Sequence, residues 1–184
     1  WGNEEPVRKT RMRVAKSIFE LSRQEILLDR NSFIENYRHK VLPYATFMDC
    51  VGTSIQEIED YCFRNEVDVV FIDQLDKVRI DGEFSRGDER LKELYARSRE
   101  LAKRNKVAVW AVSQASYEAH GREIIDYSML DGSKTGKAGE ADIIIGIGVS
   151  EHEDFRTLKF SKNKINGYHG SIVLRRDGDR DIFL

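Results

Sequence analysis

Residues Val67 to Val78 read VDVVFIDQLDKV, and this stretch decides how the chain is taken. Val69 to Ile72 form a near-continuous apolar run, the pattern of a strand buried on both faces and typical of a parallel sheet. The run stops at Asp73. Downstream, a polar loop containing Gly82 and Gly87 leads into a charged amphipathic helix from about Asp88 to Asn105. VAVWAVSQ, ending at Gln114, reads as a second buried strand and ADIIIGIG as a third. The remainder alternates as antiparallel strands: RTLKFSKNK, a turn near Asn166-Gly167, GSIVLRR, a turn at Asp177-Gly178, and DIFL. Upstream, residues 7–41 carry apolar positions at helical spacing, read as two helices broken near residues 29–32. YATFMDCV is a short strand candidate. Ser54 and Glu57 stand at capping-box positions for the helix IQEIEDYCFRN. The expected class is α/β: one domain over 1–184, a largely parallel sheet with helices on both faces, and C-terminal antiparallel strands.

The totals set bounds on function. With 184 residues and 40% hydrophobic content the chain can bury one sizeable core. A net charge of -2 excludes a uniformly basic nucleic-acid binder but leaves room for local basic loops. Cys50 and Cys62 lack C-x-x-C spacing, and His39, His120, His152 and His169 lack metal-ligand spacing, so no zinc site is expected. Two unpaired cysteines suit a reducing cytoplasm. There is no apolar run of bilayer length and no signal-peptide pattern, so no membrane partner is expected. The chain begins with Trp1 rather than Met, which suggests a fragment or a processed product.

One motif looks like a phosphate-binding loop and fails the test. DGSKTGKAGEAD, residues 131–142, has three residues between Gly132 and Gly136, and Ala138 where a P-loop needs a hydroxyl. It also precedes a strand instead of following one. Other positions carry more chemistry. Ligands of open α/β sheets collect at the carboxyl ends of strands, so Asp73 is either a Walker-B aspartate associated with magnesium, through water, or a turn residue. Gln114 is either a γ-phosphate sensor or a strand-end polar group. Glu4 stands at another strand end and is either a general base or a first-turn acid, with Glu5 competing for the role. Lys162 and Lys164 share a strand face; they suit either a neighbouring subunit's phosphates or a solvated edge. Lys77, Arg79, Arg86, Arg122, Lys134 and Lys137 lie in three loops at or near the ligand edge, where cations and glycines suit nucleic-acid phosphates.

In order, these features resemble the RecA-like motor domain of hexameric replicative DNA helicases of the DnaB type, most closely the primase-helicases of phages and mitochondria. The segments that carry the resemblance are VVFIDQL, GDERLKELYARSRELAKRNKVAVWAVSQ, LDGSKTGKAGEADIIIGIG and KFSKNKINGYHGSI; with the strand-end Glu4 and the helices and strand between it and VVFIDQL, the resemblance covers nearly the whole chain. The resemblance implies ATP or another nucleoside triphosphate with Mg2+ as cofactors, Glu4 as catalytic glutamate, Asp73 as the magnesium-associated aspartate and Gln114 as the sensor. It makes Lys162 the lysine of the inter-subunit hairpin. Lys164 falls where the family commonly has an arginine finger, keeping the charge without the planar fork. It turns DGSKTGKAG into part of a central DNA-binding region. The implied partners are single-stranded DNA, further copies in a hexameric ring, and primase or other replisome proteins. The implied location is cytoplasmic, a phage host's cytoplasm included, or an organelle matrix. The family's own P-loop, with its strand and helix, would precede Glu4, so an incomplete N-terminus is expected. A RecA-like recombinase or regulatory ATPase, and a DNA-binding or assembly module without a P-loop, remain alternatives.

Overall fold

A computed structural model describes residues 1–2, 5–132 and 134–184, including the backbone but not the side chain of Lys134. Three helices come first: α1 (Val7–Phe19), α2 (Arg23–Leu28) and α3 (Arg30–Lys40). The expected break at Asp29 is present, with its carboxylate accepting from the Ser32 amide. A further break, not expected, separates α1 from α2. Glu20 closes α1 in a left-handed conformation, and Ser22 opens α2 through a capping box with Glu25. The S-x-x-E signature beginning at Ser22 is its local cause. Among the described residues, the expected strand at YATFMDCV is reduced to one bridge between Asp49 and Gly2.

Helix α4 (Ile55–Arg64) starts with the expected box, the Glu57 amide donating to Ser54 Oγ at 3.2 Å and the Ser54 amide to Glu57 Oε2 at 2.7 Å. It leads into β1 (Val69–Ile72), and α5 (Gly87–Asn105) into β2 (Ala108–Ala111), which pairs with β1 in parallel register, Val70 opposite Val109. On the other edge of β1, the Trp1 amino group donates to the Phe71 carbonyl and the Asp73 amide to the Trp1 carbonyl. Ile58 and Cys62 of α4, Leu94 and Leu101 of α5, and Val70 and Ile72 of β1 close the core.

The sheet departs from expectation in two ways. Among the described residues, the parallel ladder named in strands is β1 and β2 alone, and ADIIIGIG does not join it. Instead β3 (Ile143–Val149) pairs antiparallel with β4 (Phe155–Asn163), which pairs with β5 (Ser171–Asp177), and that with β6 (Ile182–Phe183). Second, β1 is buried on one face only: Val70 and Ile72 point into the core, while Val69 and Phe71 are exposed. Among the described residues, helices therefore cover one face of the parallel pair, not both. The expected C-terminal antiparallel meander is present.

The glycines of β3 have a steric cause. A Cβ on Gly146 would stand 2.1 Å from the Ile125 carbonyl oxygen, and one on Gly148 1.7 Å from that of Glu123. The backbone of residues 122–126 thus lies directly on this strand, tied by the Val149 amide to the Arg122 carbonyl at 3.0 Å. Between β2 and β3 sits the short helix α6 (Lys134–Glu140), within the segment expected to be a loop.

Candidate functional site: the carboxyl ends of the parallel strands

The two parallel strands end side by side and are locked there. The Val112 amide donates to the Ile72 carbonyl at 2.9 Å, and the Leu75 amide donates back to the Val112 carbonyl at 3.1 Å. Between these bonds the chain turns sharply: Gln74 takes a left-handed conformation, φ 53°, and residues Leu75–Lys77 form a 3-10 turn. A non-glycine residue in that region costs about 1–2 kcal/mol. Asp73 and Gln114 emerge at these neighbouring ends, Asp73 half-buried and Gln114 exposed.

Behind them lies an ionic network that the sequence reading did not anticipate. The Asp76 carboxylate accepts from Tyr95 Oη at 2.9 Å, from Ser113 Oγ at 3.0 Å and from Lys137 Nζ at 2.7 Å. Lys137 Nζ also donates to Ser113 Oγ at 2.9 Å and stands 5.5 Å from the Tyr95 ring centroid. Burial, and then the charge of Asp76, pushes the Tyr95 phenol well above its ordinary range, so it stays a donor. Arg90 of α5 clamps the turn from outside, donating to the carbonyls of Asp76 at 2.6 Å and Val78 at 3.1 Å. The signal that could have found this network is the second carboxylate of IDQLD, three residues beyond Asp73.

Lys137 requires a correction. It was expected to contact DNA phosphates, but its side chain is 2% exposed and its ammonium is engaged by Asp76 and Ser113. A lysine this deep offers no surface charge. The other expected DNA contacts are dispersed. Lys77 lies beside the strand-end cleft; the backbone of Arg79 pairs with the start of α4. Arg86 holds Asp88 through two bonds, and Arg122 donates to the Glu118 carbonyl. The side chain of Lys134, like all of Glu4, lies outside the described residues. Glu5, the competitor of Glu4, is paired with Arg13 at 3.1 Å.

Lys162 and Lys164 do share a face, and both reach the end of α6. Lys162 Nζ donates to the Ala138 carbonyl, and Lys164 Nζ to the Gly139 carbonyl at 3.4 Å. Cations at a helix carboxyl end meet its free carbonyls and the negative end of its dipole. Burial, followed by the neighbouring charge of Lys164, lowers the Lys162 pKa. A register shift between Ile144 and Ile145 leaves Ser161 as the bulged residue beside Lys162. Arg99 of α5 joins from the other side, donating to the Glu140 carbonyl and pairing with Asp142.

A cleft of about 150 Å³ lies at the strand ends, lined in part by Gln74, Asp76, Lys77, Arg90, Gln114 and Asp131. Small-molecule pockets usually measure about 300–1,000 Å³, so this cleft does not by itself enclose a nucleotide. For magnesium, Asp73 supplies a single carboxylate, sufficient for an ion held mainly by phosphates and water. Among the described residues no group of three acidic, histidine or cysteine side chains forms a metal cage. A lone carboxylate of this kind fits an ion held mainly by other ligands. A glycine-rich amide cradle for the phosphates is not in the sequence.

No protein-family model and no curated protein matches the chain. Solved structures do. One is an ATPase domain, which superposes with a TM-score of 0.79 at 17% identity, over 99% of this chain and 73% of that one. Another is a DnaB-like replicative helicase, from a structure of that protein and its interactions with primase, which superposes with a TM-score of 0.76 at 16% identity. The match covers 99% of this chain and 51% of that one, so the chain spans about half of the helicase's length. The fold is that of DnaB-like helicase ATPase domains. Among the described residues no helix is long and apolar enough to cross a membrane.

Proposed function

We propose that the chain is the C-terminal portion of an NTP-driven DNA helicase motor, hydrolysing nucleotide at subunit interfaces to move along single-stranded DNA. The observation that carries this reading is that Asp73 directly follows β1 and Gln114 lies three residues past β2, its parallel neighbour, in a fold shared with helicase ATPase domains. In this reading Asp73 orients the magnesium and Gln114 reports the γ-phosphate. Glu4 takes the proton of the attacking water, and the ion pair of Glu5 with Arg13 favours Glu4 for that role. Lys162 and Lys164 serve a neighbouring copy's phosphates in a ring, hexameric by analogy, once released from the end of α6. Lys77, Arg79, Arg86, Arg122 and Lys134 serve as DNA contacts, and primase is a natural companion in the cytoplasm. Bound nucleotide with Mg2+ supplies the scissile phosphoanhydride; these side chains orient, sense and move a proton.

The phosphate cradle must then come from polypeptide outside these 184 residues. The exposed Val69, Phe71, Trp110 and Val112 support that, as does β2, which pairs with β1 alone among the described strands. An apolar strand face and an open edge are what a further strand and helix would cover. The second reading, a DNA-binding module without hydrolysis, is favoured by the small cleft. The two separate in the full-length protein. The motor reading expects Asp73→Asn to abolish NTP hydrolysis, and Gln114→Ala to slow it while nucleotide still binds. Hydrolysis indifferent to both changes sinks it. Single-stranded DNA binding without any hydrolysis by the unaltered protein favours the module.

A further inference from the structure

Lys137 is a charged group shut away from solvent, and its contacts tie together four separate parts of the chain. These are α6 through its own backbone, the turn after β1 through Asp76, the end of β2 through Ser113, and α5 through Tyr95. Asp76 lies three residues beyond Asp73 along a turn strained at Gln74, and Ser113 is the immediate neighbour of Gln114. The α6 end of the network is equally constrained. Gly132, just before α6, has a positive φ of 70°, and a Cβ there would stand 2.7 Å from Leu91 Cδ1. The far end of α6 is held by Lys162 and Lys164. So α6 is fastened through Lys137, midway along it, to the strand ends, and at its carboxyl end to Lys162 of β4 and Lys164 just beyond.

Burying such a pair is not an efficient way to gain stability. Desolvation offsets much of the attraction, and well-packed apolar replacements of a buried ion pair are often as stable or more so. What the pair provides is a fixed relation between α6 and the two strand ends. We infer that Lys137 is a positioning residue that transmits DNA engagement near α6 to Asp73 and Gln114 through Asp76 and Ser113. The inference rests on the motor reading above, and it gives Lys137 a role away from DNA phosphates. A displacement of α6 pulls directly on Asp76 Oδ2 and Ser113 Oγ, because Lys137 Nζ bonds both without an intermediary, at 2.7 and 2.9 Å.

The test uses the full-length protein, an oligothymidylate as DNA, and two variants: Lys137→Met, and Lys137→Met with Asp76→Leu. The double variant removes both charges, so it remains informative if the single one fails to fold. Two readouts are taken. In NTP hydrolysis, the expected result is loss of DNA stimulation by at least roughly fivefold in both variants, the lower end of ordinary coupling energies, with little change in KM for nucleotide. In hydrogen exchange without nucleotide, oligothymidylate should alter protection of residues 134–140 in every protein, but of residues 73–78 and 112–116 only in the unaltered one. Stimulation restored in the double variant means the network is merely structural and overturns the inference. Protection that still spreads to the strand ends in the variants overturns it as well. An unaltered protein that hydrolyses no nucleotide in the presence of DNA defeats the motor reading itself, a result distinct from either of these.

Discussion

The two faces of β1 carry the same kinds of residue and have opposite fates. Val70 and Ile72 are 2% and 0% exposed against α4 and α5; Val69 and Phe71, one step along the same strand, are 44% and 64% exposed. β2 extends the second face with Trp110, whose ring lies stacked on that of Phe71 with centroids 6.0 Å apart. A strand's side chains alternate strictly, so its composition records what each face is built to meet. One face meets helices of this chain. The other is built in the same apolar manner, and among the described residues only its own aromatic pair accompanies it.

The largest expected effect lies on the closed face. Leu94→Ala in the 184-residue chain should cost about 2–5 kcal/mol by denaturant unfolding, since Leu94 is fully buried and its removal leaves a cavity in the core. A cost below about 1 kcal/mol would mean that this face is loosely packed too, and the contrast would vanish.

Next is the cap of the helix that covers it. Ser54→Ala should cost about 1 kcal/mol through loss of the bond to the Glu57 amide. The same box sets a pH dependence. The Ser54 amide, and then its hydroxyl, hold the Glu57 carboxyl below its ordinary value. A depressed folded pKa contributes stability that is present above the unfolded pKa and lost as pH falls through the folded one. Acid unfolding curves should therefore flatten in Glu57→Gln below the ordinary glutamate range, and coincide in shape with the unaltered chain above it.

On the open face the expected effect on folding is small. Phe71→Ala should change stability by less than about 1 kcal/mol in the 184-residue chain, the range of exposed substitutions and a single ring contact. A loss as large as that of Leu94→Ala would show the face to be covered in solution, by a second copy or by other polypeptide. The smallest perturbation is optical. With Trp1 replaced by Phe, Trp110 should be readily quenched by acrylamide, because it is 52% exposed. The reciprocal protein, keeping Trp1 edge-on against Tyr61, should be quenched less. Equal protection of the two rings would contradict the open face.

Much of this was legible in the residues. The α/β class, the α4 capping box, the helix α5, the two parallel strands and the antiparallel end all follow from local signals: period, cap, turn and strand-end chemistry. The placement of Asp73 and Gln114 at adjacent strand ends was equally readable, because each closes an apolar run. Less visible was the pairing of ADIIIGIG. Its apolar run suits either a parallel or an antiparallel partner, and only its glycines hinted that a backbone lies across it. Lys137 was misread because a Gly-Lys pair in a polar segment looks solvated until its neighbours are known.

By itself, then, the sequence determined what depends on residues near one another along the chain: which segments coil, which extend, where each stops, and which polar groups stand at the stops. Tertiary structure alone decided what depends on partners 24 to 61 residues away, as with Lys137, Ser113 and Asp76. Whether a lysine faces solvent or a carboxylate, and whether Phe71 meets a helix or water, is a matter of packing between distant elements. Periodicity assigns a side chain to a face; burial depends on what arrives to cover it.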